Sequence, residues 1–97
     1  MATYVILAKF TDQGIKTVKN TPKRAAQVAE MATGFGCKVT NVYWTLGEYD
    51  VVVTLDAPDD QSLCALGMAI GAQGNVHTQT LRAFTKDEIG AIVAKLP

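Results

Sequence analysis

Few side chains in this sequence could do acid–base or ligand chemistry. His77 is the single histidine, the one side chain whose unperturbed titration falls near neutral pH, and so the first candidate for a catalytic base. A base also needs a nucleophile or an orienting carboxylate within hydrogen-bond reach, and spacing alone sets none beside it. Lys9, Tyr43, Asp50 and Arg82 lie in four separate strand-like segments. Two-residue alternation could bring several of them onto one sheet face, where a small polar ligand would meet them. The competing reading is that the Arg82 fork neutralises Asp50 at an interface. Trp44, of opposite parity to Tyr43, reads as a packing or interface anchor.

Other chemistries find no footing. Cys37 and Cys64 have no second Cys or His at a metal-ligand spacing, so no metal site is expected. Gly34-Phe35-Gly36 and Gly71-Ala72-Gln73-Gly74 lack the Lys and Ser or Thr of a phosphate loop and the context of a dinucleotide fingerprint. They read as helix stops, and no cofactor is expected.

The elements that must position these residues follow from local signals. Thr3 to Phe10 is rich in β-branched and aromatic residues and ends at Thr11-Asp12-Gln13-Gly14, which reads as a turn. Thr21-Pro22 opens a helix, with Thr21 as N-cap, running from Pro22 to about Thr33 and ended by Gly34 or Gly36. Cys37 to Leu46 and Tyr49 to Asp56 read as a hairpin joined by the two residues Gly47-Glu48. A second helix covers Gln61 to about Ala72, where Gly67 and Gly71 suggest close approach of a neighbour, and Gly74 stops it. Asn75 to Phe84 is a fourth strand, and Thr85 with Glu88 forms a capping box for a terminal helix carrying Ile89, Ile92, Val93 and Leu96. The order is that of the split βαβ unit: an α+β fold with a four-stranded antiparallel sheet and both crossover helices on one face.

The 97 residues suffice for one domain, 1–97, and 48% apolar content supports a single core. Nine basic residues balance nine acidic ones. No global field draws nucleic acid or anionic lipid, so neither is expected as a partner. Lys16, Lys19, Lys23 and Arg24 do cluster, but without the interleaved aromatics that stack single-stranded bases. No apolar run is long enough for a bilayer, and Met1 to Phe10 lacks the pattern of a secretory leader, so a cytoplasmic protein with reduced cysteines is expected.

Neither face of the sheet is polar. Tyr4, Ile6, Ala8 and Phe10 form one set in the first strand, and Val5 and Leu7 centre the other, between Thr3 and Lys9. With helices on one side only, the second set would meet water, and covering each Val or Leu is worth about 1.5–3 kcal/mol. A homodimer packed sheet to sheet is therefore expected. The alternative is that the terminal helix folds back over that surface within one chain.

The run Leu46-Gly47-Glu48-Tyr49-Asp50-Val51, then Ala57-Pro58-Asp59-Asp60, Gly74-Asn75-Val76 and Thr80-Leu81-Arg82-Ala83-Phe84-Thr85, resembles the GYD domain family of small bacterial and archaeal proteins. The resemblance covers nearly the whole chain. It implies a ferredoxin-like βαββαβ fold related to dimeric α+β barrels, with no assigned biochemical function, and it marks Gly47, Tyr49 and Asp50 as signature residues. His77 stands where a basic residue commonly follows Gly-Asn-Val in the family. The signature also has a purely structural reading, with Gly47 turning the chain, Tyr49 packing and Asp50 bonding the turn. Two functional readings follow. One is a homo-oligomeric binding module for a small molecule or a regulatory partner. The other is an enzyme resembling the cofactor-independent monooxygenases of dimeric α+β barrels, with His77, Tyr43 or Asp50 acting on a small aromatic substrate between helices and sheet. An apolar pocket of several hundred Å³ that contains His77 and a second polar group would favour the enzyme, and a filled core would count against it.

Overall fold

A computed structural model describes all 97 residues. The chain runs β1 (Ala2–Phe10), α1 (Asp12–Lys16), a 3₁₀ turn (Val18–Asn20), α2 (Thr21–Gly34), β2 (Lys38–Trp44), β3 (Val51–Ala57), α3 (Asp60–Ala72), β4 (Val76–Ala83) and α4 (Lys86–Val93). The four strands form one antiparallel sheet in the order β2-β3-β1-β4. Two split βαβ halves interleave in this way, and the α+β class and the βαββαβ order with a C-terminal helix agree with the sequence reading.

The alternation of the strands decides what is inside. Tyr4, Ile6 and Ala8 of β1 and Val51, Leu55 and Ala57 of β3 are buried on the face that α2 and α3 cover, with Ala32, Leu63, Leu66 and Ile70 from the helices. α3 is held at its start by Asp59, whose carboxylate accepts the Ser62 N–H at 2.7 Å, and those N–H bonds keep the Asp59 carboxyl below its ordinary pKa. Gly36 at φ +75° and Gly74 at φ +80° turn the chain after α2 and α3, as expected of helix stops.

Several local expectations are corrected. Thr11 to Gly14 is not a bare turn: Thr11 caps α1, its hydroxyl accepting the Gly14 N–H at 3.0 Å and donating to Gly74 O at 2.6 Å. The partner that stabilises α1 lies more than 60 residues away, beyond local propensity. Thr21 is the first helical residue rather than the N-cap, which is Asn20. The Thr21 hydroxyl instead accepts the Trp44 indole N–H at 3.0 Å. The β2–β3 connection is six residues, 45–50, not two. Thr45 and Asp50 close it through a backbone bond of 2.9 Å, and the Thr45 hydroxyl donates to Tyr49 O at 2.6 Å. Gly67 and Gly71 have no neighbour within 4 Å of where a Cβ would sit, so they serve no close approach.

α4 does not fold back. Its capping box forms as read, with Thr85 N donating to Glu88 Oε1 at 2.9 Å and Glu88 N to Thr85 Oγ1 at 3.2 Å. Apart from an Arg82–Glu88 ion pair of 3.9 Å, the helix makes no extended contact with any other element. Ile89, Val93 and Leu96 are exposed. The radius of gyration, 14.6 Å, exceeds the roughly 12.5 Å of a compact chain this long, because this arm projects.

Candidate functional site

The sheet has an uncovered face. Cross-strand pairing sets Tyr43, Val52, Leu7 and Gln79 in one transverse row and Asn41, Thr54, Val5 and Leu81 in the next. Lys38, Asp56, Thr3 and Ala83 form a third row, and Lys9 pairs with His77 at the other end. Apolar side chains hold the centre and charged ones the margins. Tyr43 is 56% and Leu81 41% exposed, so two large apolar surfaces meet solvent on the subunit alone.

The signature loop closes one end of this face. Gly47 adopts φ +107°, a conformation that a side chain strains. Glu48 pairs with Lys9 at 3.4 Å, and the Lys9 ammonium stands 5.4 Å from the centre of the Tyr49 ring. The Tyr49 hydroxyl reaches across β1 to donate to Gln79 Oε1 on β4 at 2.8 Å. Asp50 makes two bonds to β1: its N–H donates to Ala8 O and its carboxylate accepts the Phe10 N–H, each at 2.9 Å. The loop is thus bolted to the end of β1 by the residues that carry the resemblance.

The four residues proposed to share a ligand do not converge. Lys9 and Tyr43 lie on the open face, and Asp50 is engaged with backbone at its end. Arg82 lies on the helix face, stacked over Tyr4 at 5.4 Å and Phe84 at 4.6 Å, with bonds to Thr3 O at 3.2 Å and to Ala83 O. Within the subunit Asp50 and Arg82 are not paired, and the ion partner of Arg82 is Glu88. Arg82 also flanks the bond that the Tyr4 hydroxyl donates to Asp60. That bond, with burial, raises the Tyr4 pKa above its ordinary value.

On the other face a cleft opens between α2, α3 and the sheet. Thirteen of its eighteen lining residues are hydrophobic, among them Phe10, Val28 and Val42, and its volume is about 80 Å³. His77 is not among them: one residue out of phase with the lining Val76 and Thr78, it is exposed on the open face. The cleft is also well below several hundred Å³. The pocket that would favour the enzyme reading is not formed around His77 in this subunit. Sequence reasoning missed Arg24, which stands in this cleft. It was visible only as one member of a basic cluster, because its surroundings come from distant strands.

Cys37 is buried, with its thiol pKa raised by that burial, and Cys64 is exposed. Both are free. No helix is long and apolar enough to cross a membrane.

Fold and site define a split βαβ module with one sheet face bare, an amphipathic arm at one end and a loop clamped by Gly47, Tyr49 and Asp50. The chain belongs to the GYD domain family, whose model matches residues 4–93. A relative from Thermus thermophilus, 31% identical over 97 residues and covered to 99% in each chain, is named glutamine synthetase and cystathionine beta-lyase binding protein. No solved structure matches.

Proposed function

We propose that this protein is a homo-oligomeric, non-catalytic binding module that docks on metabolic enzymes and regulates them. The observation that carries the reading is the end-to-end match, without large insertions or missing elements, to a relative named for binding two enzymes. A docking role needs surface rather than a reactive cluster, and the bare sheet face and the arm with Ile89, Val93 and Leu96 give the subunit apolar surface with which to assemble.

A second copy covers the sheet face. Four strands about 4.8 Å apart and about 25 Å long present roughly 500 Å² per subunit, below the roughly 800 Å² per partner of a standard stable interface. The projecting α4 supplies the remainder when it reaches over the partner. Aligning two such faces leaves Lys9, Lys38 and Asp56 at the rim, where opposite charges set the register.

Two measurements test this. Sedimentation at micromolar concentration gives a dimer or a multiple of it, and Leu7→Lys, which buries two like charges at the centre of the two-fold, lowers the mass to that of one chain. Titration against purified glutamine synthetase or cystathionine beta-lyase of the same organism, followed by light scattering and enzyme activity, yields a saturable complex with altered turnover. Absence of a complex with either enzyme overturns the regulatory reading. A monomer for the unaltered chain overturns the assembly.

A further inference from the structure

Arg24 is the only ionic side chain lining the helix-side cleft, and no Asp or Glu lines it. Four of the five polar lining residues, Thr21, Arg24, Gln73 and Asn75, belong to the end where α2 begins and α3 stops, with Thr78 on β4, while β1, β2, β3 and the middle of α2 and α3 supply apolar wall. The guanidinium is held by neutral groups alone, standing 5.9 Å from the centre of the cleft-lining Phe10 ring and donating to oxygens of the α1 region. Nη1 donates to Thr17 O at 3.2 Å and to Thr17 Oγ1 at 2.7 Å, and Nη2 donates to Gly14 O at 3.1 Å. Neither ion pair of the protein includes it. Its charge is therefore held in place beside an apolar cleft without a counter-ion, and of its five N–H donors those not turned toward the α1 region remain for a ligand. A planar guanidinium so placed suits a carboxylate.

We infer that this cleft binds a small aliphatic monocarboxylate, with its tail against Val28, Val42 and Val53 and its carboxylate on Arg24. Volume sets the tail. The cleft holds about 80 Å³, whereas a cavity that admits benzene has about 150 Å³. A branched tail of about three or four carbons fills the cleft, and an aromatic ring does not fit without displacing wall residues. The charge excludes amines, and the apolar wall disfavours dicarboxylates, whose second charge would lose its water. The site lies on the opposite face of the sheet from the proposed dimer surface and does not depend on it.

The probe is 3-methylbutanoate, with 3-methylbutan-1-ol and 3-methylbutylamine as neutral and cationic matches of the same tail. Titration of the full chain is read by calorimetry, by amide NMR shifts and by Trp44 fluorescence, since the Trp44 indole bonds Thr21 at the cleft wall. The acid binds at least tenfold more tightly than the alcohol or the amine, with shifts at Arg24, Val28 and Val42. Arg24→Gln weakens the acid at least tenfold and leaves the alcohol unchanged, and Arg24→Lys, which keeps charge without the fork, falls between. Ala25→Leu fills the cleft and abolishes binding, while the NMR spectrum confirms that the chain is folded. The assignment is overturned by equal affinity for acid and alcohol, by Arg24→Gln binding unchanged, by no binding at 3-methylbutanoate concentrations up to ~10 mM, or by intermolecular contacts that put α4 of a second copy in the cleft.

Discussion

Asp50→Ala tests whether the last signature residue holds the fold or meets a ligand. The Asp50 carboxylate accepts the Phe10 N–H at 2.9 Å, at the point where β3 pairing with β1 ends. Removing it breaks a hydrogen bond to a charged acceptor, worth about 1.5–3 kcal/mol. Phe10 is only partly buried, so water reaches the freed N–H and the loss falls in the lower half, about 1.5–2 kcal/mol. With an unfolding entropy of about 2.1 cal/mol/K per residue, that lowers the melting midpoint by about 7–10 °C. Asp50→Asn keeps a neutral acceptor and loses about half as much. The assay is thermal and urea unfolding at one fixed protein concentration, because an oligomer's midpoint depends on it. A loss below about 0.5 kcal/mol in Asp50→Ala, together with impaired partner binding, would refute the structural reading and make Asp50 a contact residue.

Three further outcomes follow from the same geometry. Gly14→Ala puts a Cβ 2.0 Å from Asn75 O; since that carbonyl also accepts the Thr11 N–H at 3.1 Å, the α1 junction must shift, and urea unfolding should register a loss of about 1–3 kcal/mol. Gly47→Val has nothing within 4 Å to collide with, but φ is +107°, so a loss of about 1–3 kcal/mol comes from backbone strain alone, and an unchanged unfolding midpoint would contradict the loop geometry. The Thr85 N–H and hydroxyl, with Arg82 beyond them, hold the Glu88 carboxyl below its ordinary pKa. A depressed folded value contributes stability above the unfolded pKa and loses it as pH falls through the folded one. The α4 amide signals should therefore lose helical character in the acid range below about pH 4, and Glu88→Gln should flatten that dependence.

The order of elements was legible in the sequence because its punctuation is local. Pro22 sets a helix start, the Thr85–Glu88 pair caps the last helix, and Gly36, Gly47 and Gly74 occupy positions of positive φ that a side chain would strain. Alternation in β1 separated Tyr4 and Ile6 from Val5 and Leu7, but with neither set polar it was the packing of the helices that decided which is buried. The family signature was visible as a string, but its chemistry was not, since Tyr49 and Asp50 bond Gln79 and Phe10 across strands whose register no local rule supplies.

Tertiary structure alone decided where the candidate groups point. His77 belongs to the open face because β4 pairs with β1 in the register Lys9 to His77; a slip of one residue would have turned it into the cleft. α1 exists because Thr11 finds Gly74, α4 projects because nothing in its own subunit packs against it, and Arg24 has no counter-ion because the fold brings it carbonyls and a hydroxyl instead of a carboxylate. Propensity, capping and turn chemistry act over a few residues and can be read along the chain, whereas register, burial of charge and the meeting of distant side chains arise only when the sheet and helices close on one another.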